Sequence, residues 1–168
     1  YLDRKGLQGK RVGVVRSQLS GSSDLVSALV ERQFAIFKQL GATLVDVPEI
    51  PNTDKYGESE LTVLLYELKA DMSAYLADYG PQAPIKTLAD IIAYNAANPK
   101  TELAFFGQEH FIAAQAKGGL DSPQYQDALA NNLKYARAEG IDRVMAEHRL
   151  DALVAPTCGP AWLTDFTN

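Results

Sequence analysis

The groups in this 168-residue sequence that could carry reaction chemistry are few: one cysteine, two histidines, some serines and some close-set carboxylates. Cys158 stands in Thr157-Cys158-Gly159-Pro160. A cysteine nucleophile needs a base that takes or stabilises its proton. Neither His110 nor His148 is its neighbour in sequence, so Cys158 reads as a small residue of a pocket loop. Zinc asks for three or four ligands, commonly two of them close together in the chain. Both histidines fall on separate expected helices, and Glu109-His110 belongs to no H-E-x-x-H pair, so no metal site is expected. Ser22-Ser23 has no lysine near it and reads as helix capping. Glu67, Lys69 and Asp71 alternate in charge, but helix positions two apart diverge. Glu67 and Asp71 share a face, and a solvated face is the expectation for all three. The most site-like segment is the loop from Pro156 to Asp165. It leaves the carboxyl end of an expected strand, where open α/β sheets hold their ligands. Its Thr157, Cys158, Trp162, Thr164 and Asp165 mix apolar bulk with polar groups, as pockets do.

The elements that position this loop follow from the apolar pattern. Val12-Gly13-Val14-Val15 is a β-branched run that reads as a strand apolar on both faces, as in parallel sheets. Gly21-Ser22-Ser23-Asp24 supplies turn and N-cap chemistry for a helix over 25–40, whose apolar residues recur at spacings that suit one face. Gly41 is its left-handed stop. Leu44-Val45-Asp46-Val47 makes a second strand and completes a βαβ unit. Helices are expected over 61–79, over 87–94 behind a Thr87 cap, and over 107–116. A longer one should run over 123–139 behind Ser122-Pro123, with Gly140 as a break before 141–148. Leu150 to Pro156 is the third strand. Two β-type ends enclosing a helical middle define an α/β class, with a parallel or mixed sheet and helices packed on it, in a single domain over 1–168.

Composition narrows the partners. Hydrophobic residues make up 46% and charged residues 22%, ordinary values for a globular chain. No apolar run approaches the roughly 18 residues of a membrane span, so no membrane partner is expected. The net charge is −5. Arg4, Lys5, Lys10, Arg11 and Arg16 gather basic charge at the start, yet no aromatic interleaves them, so no nucleic-acid partner is expected. Gly13 and Gly21 flank a strand-to-helix turn that lacks both G-x-G-x-x-G and a Walker lysine. One cysteine cannot close an intrachain disulfide, which slightly favours the cytoplasm. Tyr1 is followed by no charged n-region and apolar h-region, and the chain reads as a piece of something longer.

Several segments together resemble the amidase-signature family, in its peptide-amidase-like branch. They are Gly9-Lys10-Arg11-Val12-Gly13-Val14 and Leu40-Gly41-Ala42-Thr43-Leu44-Val45-Asp46-Val47, then Tyr66-Glu67-Leu68-Lys69-Ala70-Asp71 with Tyr75-Leu76. Thr87 to Asn95, Phe106-Gly107-Gln108-Glu109 and Leu150 to Thr157 extend the resemblance over essentially the whole chain. It implies a mixed sheet sandwiched by helices and hydrolysis of carboxamides to acid plus ammonia or amine. It implies a catalytic lysine, a serine in a cis peptide and a nucleophilic serine in a Gly/Ser-rich stretch. A neutral lysine would take the nucleophile's proton through the bridging serine, and backbone amides would hold the oxyanion.

That Gly/Ser-rich stretch and its lysine are absent here, so the chain resembles the C-terminal portion of an amidase, with the catalytic set upstream of Tyr1 and no catalytic residue of its own. The partners implied are that upstream part and a small-molecule amide substrate, and no cofactor is implied. The family's Pro-Thr loop at the strand end faces the active site. This puts forward Thr157, Cys158, Gly159, Pro160 and Trp162 as substrate-lining residues, with Asp165 behind them. The same loop also reads as plain packing of a Pro-rich turn. A different reading of the whole chain is a stand-alone Rossmann-like ligand-binding module without catalysis.

Overall fold

The computed structural model describes residues 3–19 and 23–157. Its contacts divide into two compact units, one holding the described residues up to Thr53 and from Tyr135 onward, the other Asp54–Lys134. The fold is α/β and helix-rich, with a small parallel sheet.

The first unit is built on three parallel strands, β1 (Arg11–Val15), β2 (Thr43–Val47) and β3 (Ala152–Val154), in the order β2-β1-β3. The register runs from Arg11↔Thr43 to Val15↔Val47 on one side of β1 and from Val12↔Ala152 to Val14↔Val154 on the other. Val12, Val14 and Val15 are all buried, as the two-faced apolar run requires. Gly13 is glycine because the sheet closes over it: a Cβ there would meet Leu150 Cδ1 at 2.5 Å and Leu153 Cδ2 at 2.7 Å.

Helix α1 (Asp24–Gln39) starts where expected, with Ser23 Oγ accepting from Val26 N at 3.3 Å. It stops at Gly41, whose φ of 89° is the left-handed conformation glycine tolerates. The single apolar face expected of it proves to be two. Phe34 is buried, with Val26, Val30 and Phe37 half-buried around it, whereas Leu25, Leu29, Ile36 and Leu40 are exposed on a neighbouring stripe. At 100° per residue the second group falls within one narrow stripe.

The second unit is helical: α2 (Gly57–Tyr79), α3 (Leu88–Ala97), α4 (Pro99–Glu102), α5 (Glu109–Gln115) and α6 (Pro123–Asn132). Its core joins Val63 and Tyr66 of α2 to Tyr125 and Ala128 of α6, with the two tyrosine rings 5.6 Å apart. Both buried phenols find partners, as buried hydroxyls must. Tyr66 donates to Gln124 Oε1 and Tyr125 to Glu67 Oε1, each at 2.8 Å. Thr87 caps α3 in a full capping box: Asp90 N donates to Thr87 Oγ1 at 3.2 Å, and Thr87 N donates to Asp90 Oδ2 at 2.9 Å.

The helical run expected over 123–139 is present, wound as an α-helix in α6 and more widely beyond it. After α6 the chain passes through a π-helical segment, Leu133–Ile141, and then α7 (Asp142–His148). Gly140 breaks the helical backbone at φ −112° and ψ −109°, as its position suggested, and a Cβ there would meet Tyr135 O at 2.5 Å. Ser122 holds the N-cap position of α6, but its buried hydroxyl makes no hydrogen bond, so the cap is positional only.

Candidate functional site

The order β2-β1-β3 sends the chain from β1 to one neighbour and later to the other, so the carboxyl ends of β1 and β3 flank a topological switch point. Open α/β sheets open a crevice there. Beyond β1 the chain enters one 3₁₀ turn, Arg16–Gln18, stitched to the end of β2 by Ser17 N donating to Pro48 O at 2.9 Å. Arg16 fixes this edge. It donates to Asp46 Oδ1 at 2.7 Å and to Glu31 Oε1 at 2.5 Å, and its guanidinium lies 5.6 Å from the Phe34 ring centroid. Burial pulls its pKa down, but the hydrogen bonds and charges of Asp46 and Glu31 outweigh this and hold it above the ordinary value. It is a permanent cation here.

Beyond β3, Pro156 is half-buried and Thr157 is exposed, three residues past the Val14↔Val154 pair. Thr157 is thus at the carboxyl edge that the sequence assigned to it. Cys158, Gly159, Pro160 and Trp162, with Thr164 and Asp165, lie outside the described residues.

The opposite, amino edge of the sheet engages two of the early basic residues, Lys10 and Arg11. Lys10 Nζ donates to Asp151 Oδ1 at 2.9 Å and Arg11 N to Asp151 Oδ2 at 2.8 Å. The Arg11 guanidinium caps α7 by donating to the carbonyls of His148 and Arg149 at 3.1 and 3.2 Å. These cations tie β1 to the α7–β3 turn. Asp151 is held below the usual carboxylate range, first by the Arg11 amide and then by Lys10.

The solvated face expected of Glu67, Lys69 and Asp71 is a correction. Asp71 is exposed, but Glu67 accepts from Tyr125, and Lys69 Nζ reaches the carbonyls of Gln115 and Lys117, which ties α2 to the end of α5. The Glu67 carboxylate raises the Tyr125 pKa, chiefly through that hydrogen bond. The serine hydroxyls of Ser23, Ser59 and Ser73 meet, respectively, a backbone amide, the amides of Asn131 and Asn132, and the Lys69 carbonyl. None of those partners is a general base. Among the described residues no group of three or more His, Cys, Asp or Glu side chains could hold a metal ion, and no helix is long and apolar enough to cross a membrane.

One concave feature escaped the residue-by-residue reading. A cleft of about 330 Å³ opens between the end of α3, α4 and the loop into α5. Phe105 and Phe106 are exposed on it, and Gln108 anchors the loop by accepting from Asn95 and donating to Ile92 O, both at 3.2 Å. The signal available was the apolar pair Phe105-Phe106 set against Gly107.

The fold of this chain is shared with solved amidases. The native peptide amidase of Stenotrophomonas maltophilia superimposes with a TM-score of 0.84 at 42% identity, over 95% of this chain and 32% of that one. An amidase family protein of Bacillus anthracis shares the fold, with a TM-score of 0.72 at 24% identity, over 90% of this chain and 28% of that one. A probable amidase of Arabidopsis thaliana is 30% identical over 159 residues, which is 92% of this chain and 29% of that protein. No family model matches the chain. The class these likenesses point to is that of the amidases, whose α/β fold this chain shares. Within it, this chain is related to the peptide-amidase-like enzymes of the amidase-signature family, and it spans about a third of the length of the relatives it matches.

Proposed function

We propose that this chain is the C-terminal portion of an amidase that hydrolyses carboxamide C–N bonds to acid plus ammonia or amine, peptide amides among them. The observation that carries the reading is likeness to amidases along nearly the whole chain at only about a third of their length. The chain completes the fold and supplies one wall of the substrate cleft. The Ser-Ser-Lys set belongs to the upstream part, where the lysine takes the nucleophile's proton through the bridging serine and backbone amides hold the oxyanion. Thr157, at the carboxyl edge of the sheet, contributes a hydroxyl to the wall, and Cys158, Gly159, Pro160 and Trp162 continue it.

The test has two arms. The 168-residue chain alone should not turn over a simple carboxamide, and turnover by it would sink the assignment of chemistry to the upstream part. In a chimera, this chain replaces the matching third of the Stenotrophomonas maltophilia peptide amidase. Amide hydrolysis by that chimera is expected. Thr157→Ala should then lower kcat/KM about fivefold, the equivalent of one lost hydrogen bond. Trp162→Ala should change the preference between small and bulky amides. If neither variant moves kcat/KM, the loop is not a wall of the cleft.

A further inference from the structure

Helix α2 is apolar on two opposite sides. One side, with Val63 and Tyr66, packs within the helical unit. The other carries Leu61, Leu64, Leu68, Met72, Tyr75 and Tyr79 at spacings of three and four, which puts them in one seam about 27 Å long. Leu61 is 45% exposed, Leu64 56%, Tyr75 62% and Tyr79 72%. A groove of about 380 Å³ runs along the middle of the seam between Leu64 and Tyr75. A contiguous apolar stripe left in water marks an interaction surface. The charge beside the seam is one-sided: Glu60, Glu67, Asp71 and Asp78 follow one flank, and Lys69 stands beyond the opposite flank. Three-four spacing is the pattern that accepts a second helix nearly parallel or antiparallel to the first.

We infer that this seam is the docking face for a helix of the amidase's catalytic part, a helix with an apolar stripe and lysine or arginine along one edge. The inference rests on the reading of this chain as one third of an amidase, because the solved relatives carry the other two thirds in the same polypeptide. The acidic flank selects the partner's orientation: reversing the helix would set its basic edge over the apolar flank of α2 and leave four carboxylates without a counter-charge. Docking withdraws Leu64, Leu68 and Tyr75 from water, which is the driving force; the charges set the register.

Single cysteines read the seam without disrupting it. Leu64→Cys and Tyr75→Cys are placed both in the isolated chain, at a concentration where sedimentation finds monomer, and in the Stenotrophomonas maltophilia chimera. Maleimide uptake at each site is followed by mass spectrometry of the peptides, which separates it from uptake at Cys158. Rapid labelling in the isolated chain and labelling slower by at least about tenfold in the chimera are expected, the signature of a face covered only in the longer protein. Equal rates in both overturn the inference, as does a chimera that yields no soluble protein. Protection in the isolated chain that disappears on dilution to monomer, with free labelling in the chimera, would make a second copy the occupant and also overturn it. The two readings fail separately. A chimera that hydrolyses amides but labels freely loses the docking face alone; a protected chimera without amidase activity loses the proposed activity alone.

Discussion

At the scale of residues, the side chains with the most definite roles are those that join distant parts of the chain, and Asp151 is the plainest. It accepts from the Arg11 amide and from Lys10, which lie 140 and 141 positions away in sequence. Those donors, the amide first, hold its pKa below the ordinary value. A carboxylate with a depressed folded-state pKa adds stability that is present above its unfolded-state pKa and is lost as pH falls through the folded one. Asp151→Asn should therefore lower Tm at neutral pH and flatten the fall of Tm on the acid side. A scan of Tm from pH 7 to pH 2 checks both. Asp90, lowered first by the Lys86 amide, keeps part of the acid slope in the variant, so an unchanged slope would remove Asp151 from the account. This tie was not legible beforehand. The sequence presents a basic cluster and, far away, a lone aspartate, and only strand pairing brings them together. Caps were legible, because Ser23, Thr87 and Gly41 act on neighbours within a few residues. Ser122 shows where that logic stops: its position is right, but its hydroxyl is buried without a partner.

At the scale of elements, hydrophobic period announced the three strands and every helix except the short α4, but not how many faces would be covered. Helix α1 carries apolar residues on two sides and buries one. Periodicity alone gives no means of telling a core face from a face that awaits a partner. The sheet was easier, because a run of β-branched residues without polar alternation is covered on both faces. Gly13 interrupts that run for a packing reason. Its missing side chain admits Leu150 and Leu153 from the β3 side and Val47 from the β2 side. Gly13→Val would drive two methyls into that contact and should destabilise the first unit by about 1–3 kcal/mol, the usual cost of overpacking. Urea denaturation followed by far-UV circular dichroism measures it. A variant as stable as the parent would mean that Leu150 and Leu153 can swing away freely, and that β3 is not held by this contact. The candidate site was legible to the same extent. The carboxyl edge after β3 followed from strand direction, whereas the cleft at Phe105 and Phe106 depends on how three short helices meet.

At the scale of the whole molecule, two helices carry apolar stripes that face water among the described residues. Leu25, Leu29, Ile36 and Leu40 line one side of α1 in water, independently of the seam on α2. Contiguous exposed apolar patches of this kind mark interaction surfaces. The opposing force is charge, since the net value of −5 keeps copies of the isolated chain apart at low salt. Screening shortens that repulsion to about 8 Å at physiological ionic strength, while apolar contact is not screened. The isolated 168-residue chain should therefore be close to monomeric when dilute at low salt and should self-associate as salt and concentration rise. Leu29→Glu with Ile36→Glu should suppress the association without lowering Tm, because neither side chain belongs to the packed side of α1. Sedimentation velocity over a salt series, with thermal denaturation of the same samples, decides it. A chain that stays monomeric at every salt concentration would mean that the α1 stripe is tolerated surface. A loss of Tm in the double variant would mean that the stripe already packs within the chain.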